Sequence, residues 1–136
     1  MFDIEIFDLP PKMDEETKSI LNICDYIFVP MELGKFSVEG LTNVQKEISQ
    51  STAKFGGAFI CKYNKKTQGI KDMLEWAKES YQKQLLNTII PSSFAIQNSL
   101  NYDLTASEYM NNTSTMKYAD LAEEVLEIIQ KEKNNG

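Results

Sequence analysis

Short apolar runs alternate with stretches whose apolar residues recur every three or four positions, and this alternation constrains the fold more than anything else in the 136 residues. The runs Ile4 to Phe7, Tyr26 to Val29, Phe55 to Cys61 and Leu86 to Ile90 read as strands. Pro10 and Pro11 turn the chain after the first run, Pro30 stops the second, Gly56 and Gly57 lie at the entry to the third, and Pro91 ends the fourth. Between them, Asp14 is placed to cap a helix carrying Glu15 and Glu16 in its first turn, with Thr17, Ile20, Leu21 and Cys24 on one face. Ser37 is placed to cap a second helix with the stripe Val38, Leu41, Val44 and Ile48, and Thr67 opens a third with Ile70, Met73, Leu74, Ala77 and Tyr81. The stretch from Ser92 to Thr115, rich in Asn, Ser and Thr, shows no period and reads as loop with one helical turn. A last amphipathic helix follows, with Tyr118, Leu121, Ala122, Val125, Ile128 and Ile129 as its core stripe and "KEKNNG" as its frayed end. Strands alternating with helices imply parallel pairing through right-handed crossovers. The prediction is one three-layer α/β domain over residues 1–136, with a mostly parallel sheet of about four strands flanked by helices.

The composition closes off several chemistries. There is no histidine, and all 14 basic residues are lysine, against 20 acidic residues, for a net charge of -6. Without histidine there is no imidazole base near neutrality and no Ser-His-Asp or Cys-His arrangement. Without arginine there is no bidentate phosphate clamp, and the acidic balance opposes nucleic acid except where lysines cluster. Cys24 and Cys61 sit 37 residues apart in apolar contexts and read as buried, reduced thiols. The N-terminus is acidic and broken by prolines, unlike a signal peptide, and no apolar run reaches the ~18 residues of a membrane span, so a cytoplasmic location is expected.

The stretch "FDIEIFDLPPKMDEETKSILNICDYIFVPMELGKFSVEGL" resembles the second half of the ParA family of partition ATPases, relatives of MinD. The family pattern is an apolar strand, Asp-x-Pro-Pro, a helix, then "aD-apolar-apolar-apolar-P-x-E-x-x-S-x-x-G-L". The likeness continues through "GAFICKYNKKT", "LLNTIIPSSFAIQNS" and "YADLAEEVLE", in the family's order. It implies a truncated P-loop NTPase fold. Asp8 matches the family's aspartate that positions magnesium, while Cys61 and Pro91 fall on its adenine side. In the family, a Gly-rich loop with two lysines holds the phosphates and precedes the stretch matched here. The chain is therefore expected to be no enzyme, to bind no cofactor beyond weak Mg-ATP, and to act as an interaction or dimerisation module in a plasmid or conjugative-element setting. The alternative is the C-terminal part of an active partition ATPase, or a partner subunit to one.

Departures from the family bear on particular residues. Cys61 replaces a polar residue, Lys66 stands where arginine is usual, and Ser92 and Ser93 follow the proline of the base-contacting turn. Asp8 alone is a weak magnesium ligand, because the ion also leans on phosphate oxygens, and a structural strand-end aspartate is the simpler reading. "GKFS", Gly34 to Ser37, imitates the end of a phosphate loop, but the glycine required five residues before Gly34 is Val29. Lys62, Lys65, Lys66 and Lys71, with Tyr63 among them, form the basic cluster in which a weak nucleic-acid patch would lie; a solvated loop needs no more than this. The resemblance also places the phosphate-loop strand between the strands at Ile4 to Phe7 and Tyr26 to Val29. Without it, those strands either close up and pair or leave an edge that another chain covers. The expected partners are a second copy through the sheet edge and possibly a full-length ParA-like relative, with neither membrane nor DNA. In this scheme Ile6 and Ile27 are both core residues.

Overall fold

The computed structural model describes residues 3–34 and 38–135. Ser37, the expected cap of the second helix, and the Lys35–Ser37 part of "GKFS" lie outside the described residues. The elements are α1 (Glu15–Leu21), β1 (Tyr26–Met31), α2 (Val38–Ser49), β2 (Lys54–Tyr63), α3 (Ile70–Tyr81), β3 (Leu85–Pro91), α4 (Phe94–Ser99), α5 (Ala106–Tyr109) and α6 (Thr113–Asn135). The strands form one parallel sheet in the order β1-β2-β3. The fold class is α/β with helices on the sheet, consistent with a truncated P-loop NTPase, and the described strands number three rather than about four.

The missing member is the first. Residues 4–10 form neither helix nor strand, with Ile4 49%, Phe7 47% and Ile6 91% exposed. An apolar run becomes a strand only when a neighbour takes its N–H and C=O groups, and none among the described residues pairs with it. The alternation of types in the run is correct for a strand; the partner is what it lacks. Ile6 is thus not a core residue, whereas Ile27 packs against the main apolar cluster.

Where neighbours are present, the sequence pattern and the structure agree. Asp14 caps α1 by accepting the Thr17 N–H at 3.0 Å, which holds its carboxyl below the usual range. On one face of the sheet, Val29 and Met31 of β1 and Ala58 and Ile60 of β2 meet Leu41 and Ile48 of α2 and Ala77 and Tyr81 of α3. Beside this core, β2 carries one extra residue: Ile27 pairs with Phe55 but Phe28 with Gly57. Gly57 there has φ +141, and a Cβ on it would come within 2.3 Å of Leu86 Cδ1, so glycine is required.

Two other expectations need correction. Residues 92–115 are not mostly loop: they form α4, a 3-10 turn at Leu100–Tyr102, and α5. α6 also starts earlier than its apolar stripe suggests, and that stripe is not core. Leu121, Val125, Ile128 and Ile129 are half-buried and Ala122 is exposed. The helix lies against β3 and β2, and Glu132 reaches Tyr26 Oη at 3.1 Å and Lys54 Nζ at 3.3 Å, so the same helix also touches the starts of β1 and β2.

The surface total reflects these exposed segments. The chain exposes 9975 Å², whereas a closed monomer of 15.5 kDa exposes about 7,200 Å². Replacing Leu41, fully buried on the inner face of α2, with Ala should cost about 2–5 kcal/mol in urea unfolding. Ile6→Lys should leave stability within about 0.5 kcal/mol of the parent. A large loss in Ile6→Lys would show that residues 4–7 belong to the core.

Candidate functional site at the carboxyl ends of the strands

In parallel α/β sheets, ligand sites gather outside the carboxyl ends of the strands, because the loops and helix N-termini converge there. Here those ends are Met31 and Glu32 after β1, Cys61 to Tyr63 of β2, and Pro91 and Ser92 after β3. They are tied together. Tyr63 and Pro91 are register partners, and the Ser92 N–H donates to the Tyr63 carbonyl at 2.8 Å. The Cys61 thiol donates to the Met31 carbonyl, with a sulfur-to-oxygen distance of 3.6 Å.

Lys62 sits in the left-handed region at φ 53, an uncommon conformation for a non-glycine residue, and its Nζ lies 2.7 Å from Glu32 Oε1. The ion pair raises the Lys62 ammonium above its ordinary value, through the hydrogen bond first and the charge of Glu32 second. Burial raises the Cys61 thiol, Glu32 raises it further, and Lys62 opposes them. The arrangement offers a neutral thiol and a neutralised ion pair. The thiol is no thiolate nucleophile, and Lys62, the last lysine of β2, is committed to Glu32.

The anticipated site residues separate accordingly. Cys61 and Pro91 lie toward the carboxyl ends of the neighbouring strands β2 and β3, Pro91 opposite Tyr63. Asp8 lies on the exposed extended segment, not at the tip of a strand. Lys65, Lys66 and Lys71 are exposed around the turn between β2 and α3, in which the Lys66 N–H donates to Asn64 Oδ1 at 3.1 Å. Lys62 is set apart from them by its pairing with Glu32. Among the described residues, no group of three or more His, Cys, Asp or Glu could hold a metal ion, and no helix is long and apolar enough to cross a membrane.

Two residues carry more than their sequence context suggested. Glu32 is the ion-pair partner of Lys62. Glu124, in the acidic "DLAEEVLE" stretch of α6, accepts the Asn87 N–H at 2.6 Å and the Thr88 N–H at 2.9 Å. Those two N–H groups lie where β3 slips against β2, between the Ala58–Leu85 and Ile60–Ile89 pairs, so the carboxylate replaces strand bonding. A groove of about 580 Å³ opens beside it, lined by Lys78, Gln82, Lys83, Asn87 and Ile128, at the start of β3 and away from the carboxyl ends.

A three-stranded parallel sheet flanked by helices defines the class: an α/β fold consistent with a truncated P-loop NTPase. Comparison with known proteins narrows this. Residues 1–60 match the AAA domain family. Over 132 residues, 92% of the chain, it is 23% identical to the chromosome-partitioning ATPase Soj of Treponema pallidum, covering 52% of that protein. It is 24% identical to an uncharacterized protein of Pseudomonas putida over the same share, covering 50% of it. The chain spans about half the length of the curated relatives it matches. These likenesses support a ParA/MinD-like relationship, in keeping with the fold.

The state of Cys61 is directly measurable. At neutral pH it should alkylate slowly with iodoacetamide, and Glu32→Gln should speed the reaction by removing a charge that raises the thiol and freeing the ammonium of Lys62. Fast alkylation of Cys61 in the parent chain, read by mass spectrometry of its peptide, would contradict this arrangement.

Proposed function

We propose that the chain is an interaction module of a ParA-like partition system, unable by itself to bind ATP tightly or hydrolyse it. The observation that carries this is the pairing pattern of the sheet. β1 bonds to β2 on one side, and among the described residues no strand lies on its other side, while the apolar residues 4–7 stand exposed nearby in sequence. A row of backbone N–H and C=O groups at such an edge is a template for a further strand. The fitting partners are a second copy of the chain and a full-length ParA-like relative. Pro30, lacking an N–H, limits the new pairing to the earlier part of β1.

The chemistry of the carboxyl ends agrees with inactivity. A triphosphate needs N–H donors and free cations, and no Gly-x-x-x-x-Gly-Lys-Ser/Thr loop occurs in these 136 residues. Lys62 is already matched by Glu32. The open edge favours one second reading, in which the partner brings the phosphate loop and ATP binding appears only in the complex. The mobile-element setting follows from the family resemblance and belongs to the proposal. So does the expectation that duplex DNA is not a ligand, since exposed lysines on a chain of net charge -6 release few counterions.

Calorimetric titration of Mg-ATP into the chain alone should give binding no tighter than millimolar, about -4 kcal/mol. A micromolar dissociation constant overturns the proposal, and its loss in Asp8→Ala would restore the magnesium role to Asp8. Gel shift with a long nonspecific duplex should show no complex at physiological salt. A complex that weakens steeply with salt, and vanishes when Lys62, Lys65 and Lys66 are changed to Glu, would establish the lysine cluster as a DNA site.

A further inference from the structure

The chain passes from α3 into β3 through a strained residue. α3 ends at Tyr81, buried in the main core, and after a 3-10 turn at Gln82–Gln84 the next strand begins at Leu85. So short a connection puts Gln82 at φ 47 and ψ -119, a region that glycine enters freely and other residues only at a cost. The turn is also tied down, because the Gln45 side chain of α2 donates to Gln84 Oε1 at 3.1 Å. Gln82 and Lys83 of this turn form one wall of the groove at the start of β3.

The groove, at about 580 Å³, has the volume of a small-molecule site. A more enclosed recess of about 310 Å³ shares Lys78, Gln82, Leu85, Leu86 and Asn87 with it. Leu85 and Leu86 of β3 and Ile128 of α6 supply the apolar lining. Gln82 and Asn87 add side-chain amides, groups that orient a polar ligand without fixing its charge.

Charge identifies the occupant. Three ionisable side chains line the groove: Lys78, Lys83 and Glu124. Glu124 is committed, with one carboxylate oxygen taking the Asn87 N–H and the other the Thr88 N–H. Among the described residues, neither Lys78 nor Lys83 forms an ion pair. Two ammonium groups are thus left for a ligand, next to apolar surface, on a chain whose net charge is -6. We propose that this groove binds a small amphiphilic organic anion, a carboxylate or phosphate on a short apolar body. Lys78 and Lys83 take the head group, Gln82 and Asn87 orient it, and Leu85, Leu86 and Ile128 cover the body. The inference is independent of the sheet edge, and the groove lies away from the carboxyl ends of the strands.

The probes are octanoate and octyl phosphate, titrated into the 15N-labelled chain at neutral pH and constant ionic strength. The tighter of the two names the head group, and its affinity should be about millimolar. Binding should shift amides of residues 82–87 and 124–128 and leave those of residues 26–29 and 94–116 unmoved. Head and body are both needed, so octanamide and inorganic phosphate should each bind roughly tenfold more weakly, and octylammonium more weakly still. Lys78→Glu with Lys83→Glu should weaken binding roughly tenfold or more; both residues are exposed, so the double variant should keep the parent's circular dichroism. Gln82→Gly should raise the urea midpoint, by relieving the positive φ, and yet weaken binding, a combination that a merely structural glutamine would not produce. Equal binding of octanamide or octylammonium, shifts centred elsewhere, full affinity in the charge-reversed variant, or no binding of either probe would overturn the proposal.

Discussion

A parallel strand satisfies its backbone only through two neighbours, and among the described residues β1 has one. Each unpaired backbone group taken out of water costs on the order of 1–3 kcal/mol, so such an edge stays wet or is covered. In this chain the described edge stays open, and the rest follows. The residues before α1, apolar in sequence, find no strand to join and remain extended in solvent. The core gathers on the face where α2 and α3 cover β1 and β2. On β3 the carboxylate of Glu124 stands in for strand bonding at the irregular pairing, and α6, half-buried along its length, holds the starts of β1 and β2 through Glu132.

The same constraint shapes the candidate site. Cys61 and Pro91 lie near each other along the sheet because β2 and β3 are parallel neighbours, with Pro91 opposite Tyr63. Asp8 does not join them, because its strand never forms. At the ends of β1 and β2 the structure holds an ion pair, Lys62 with Glu32, on a left-handed backbone, and a thiol that burial keeps protonated, with the exposed Lys65, Lys66 and Lys71 in and after the turn that follows. Catalysis of phosphate transfer needs charges left uncommitted until the substrate arrives.

How much of this was legible in the sequence depended on whether a signal was local. Asp14 as a cap, the stripe through Leu41 and Ile48, and the period from Ile70 to Tyr81 each follow from residues within a few turns, and each reappears in the structure. Ile4 to Phe7 has the composition of a strand, but strand formation depends on a partner that composition does not reveal. α4 and α5 escaped because helices of four to six residues, fastened by Thr105, Glu108 and Thr115, need no apolar period. The Lys62–Glu32 pair joins the ends of two strands 30 residues apart, and the binding of Glu124 to Asn87 and Thr88 depends on a slip in register. Neither leaves a local mark.

Amide hydrogen exchange of the chain alone, at a dilution where it is monomeric, tests the open edge most directly. Alternate amides of residues 26–29 should exchange almost as freely as those of residues 4–7, while Ala58 and Ile60 of β2 exchange only through global unfolding. If every amide of β1 is as protected as those of β2, the edge is already paired, and the account of this chain as one with an unfilled sheet is wrong.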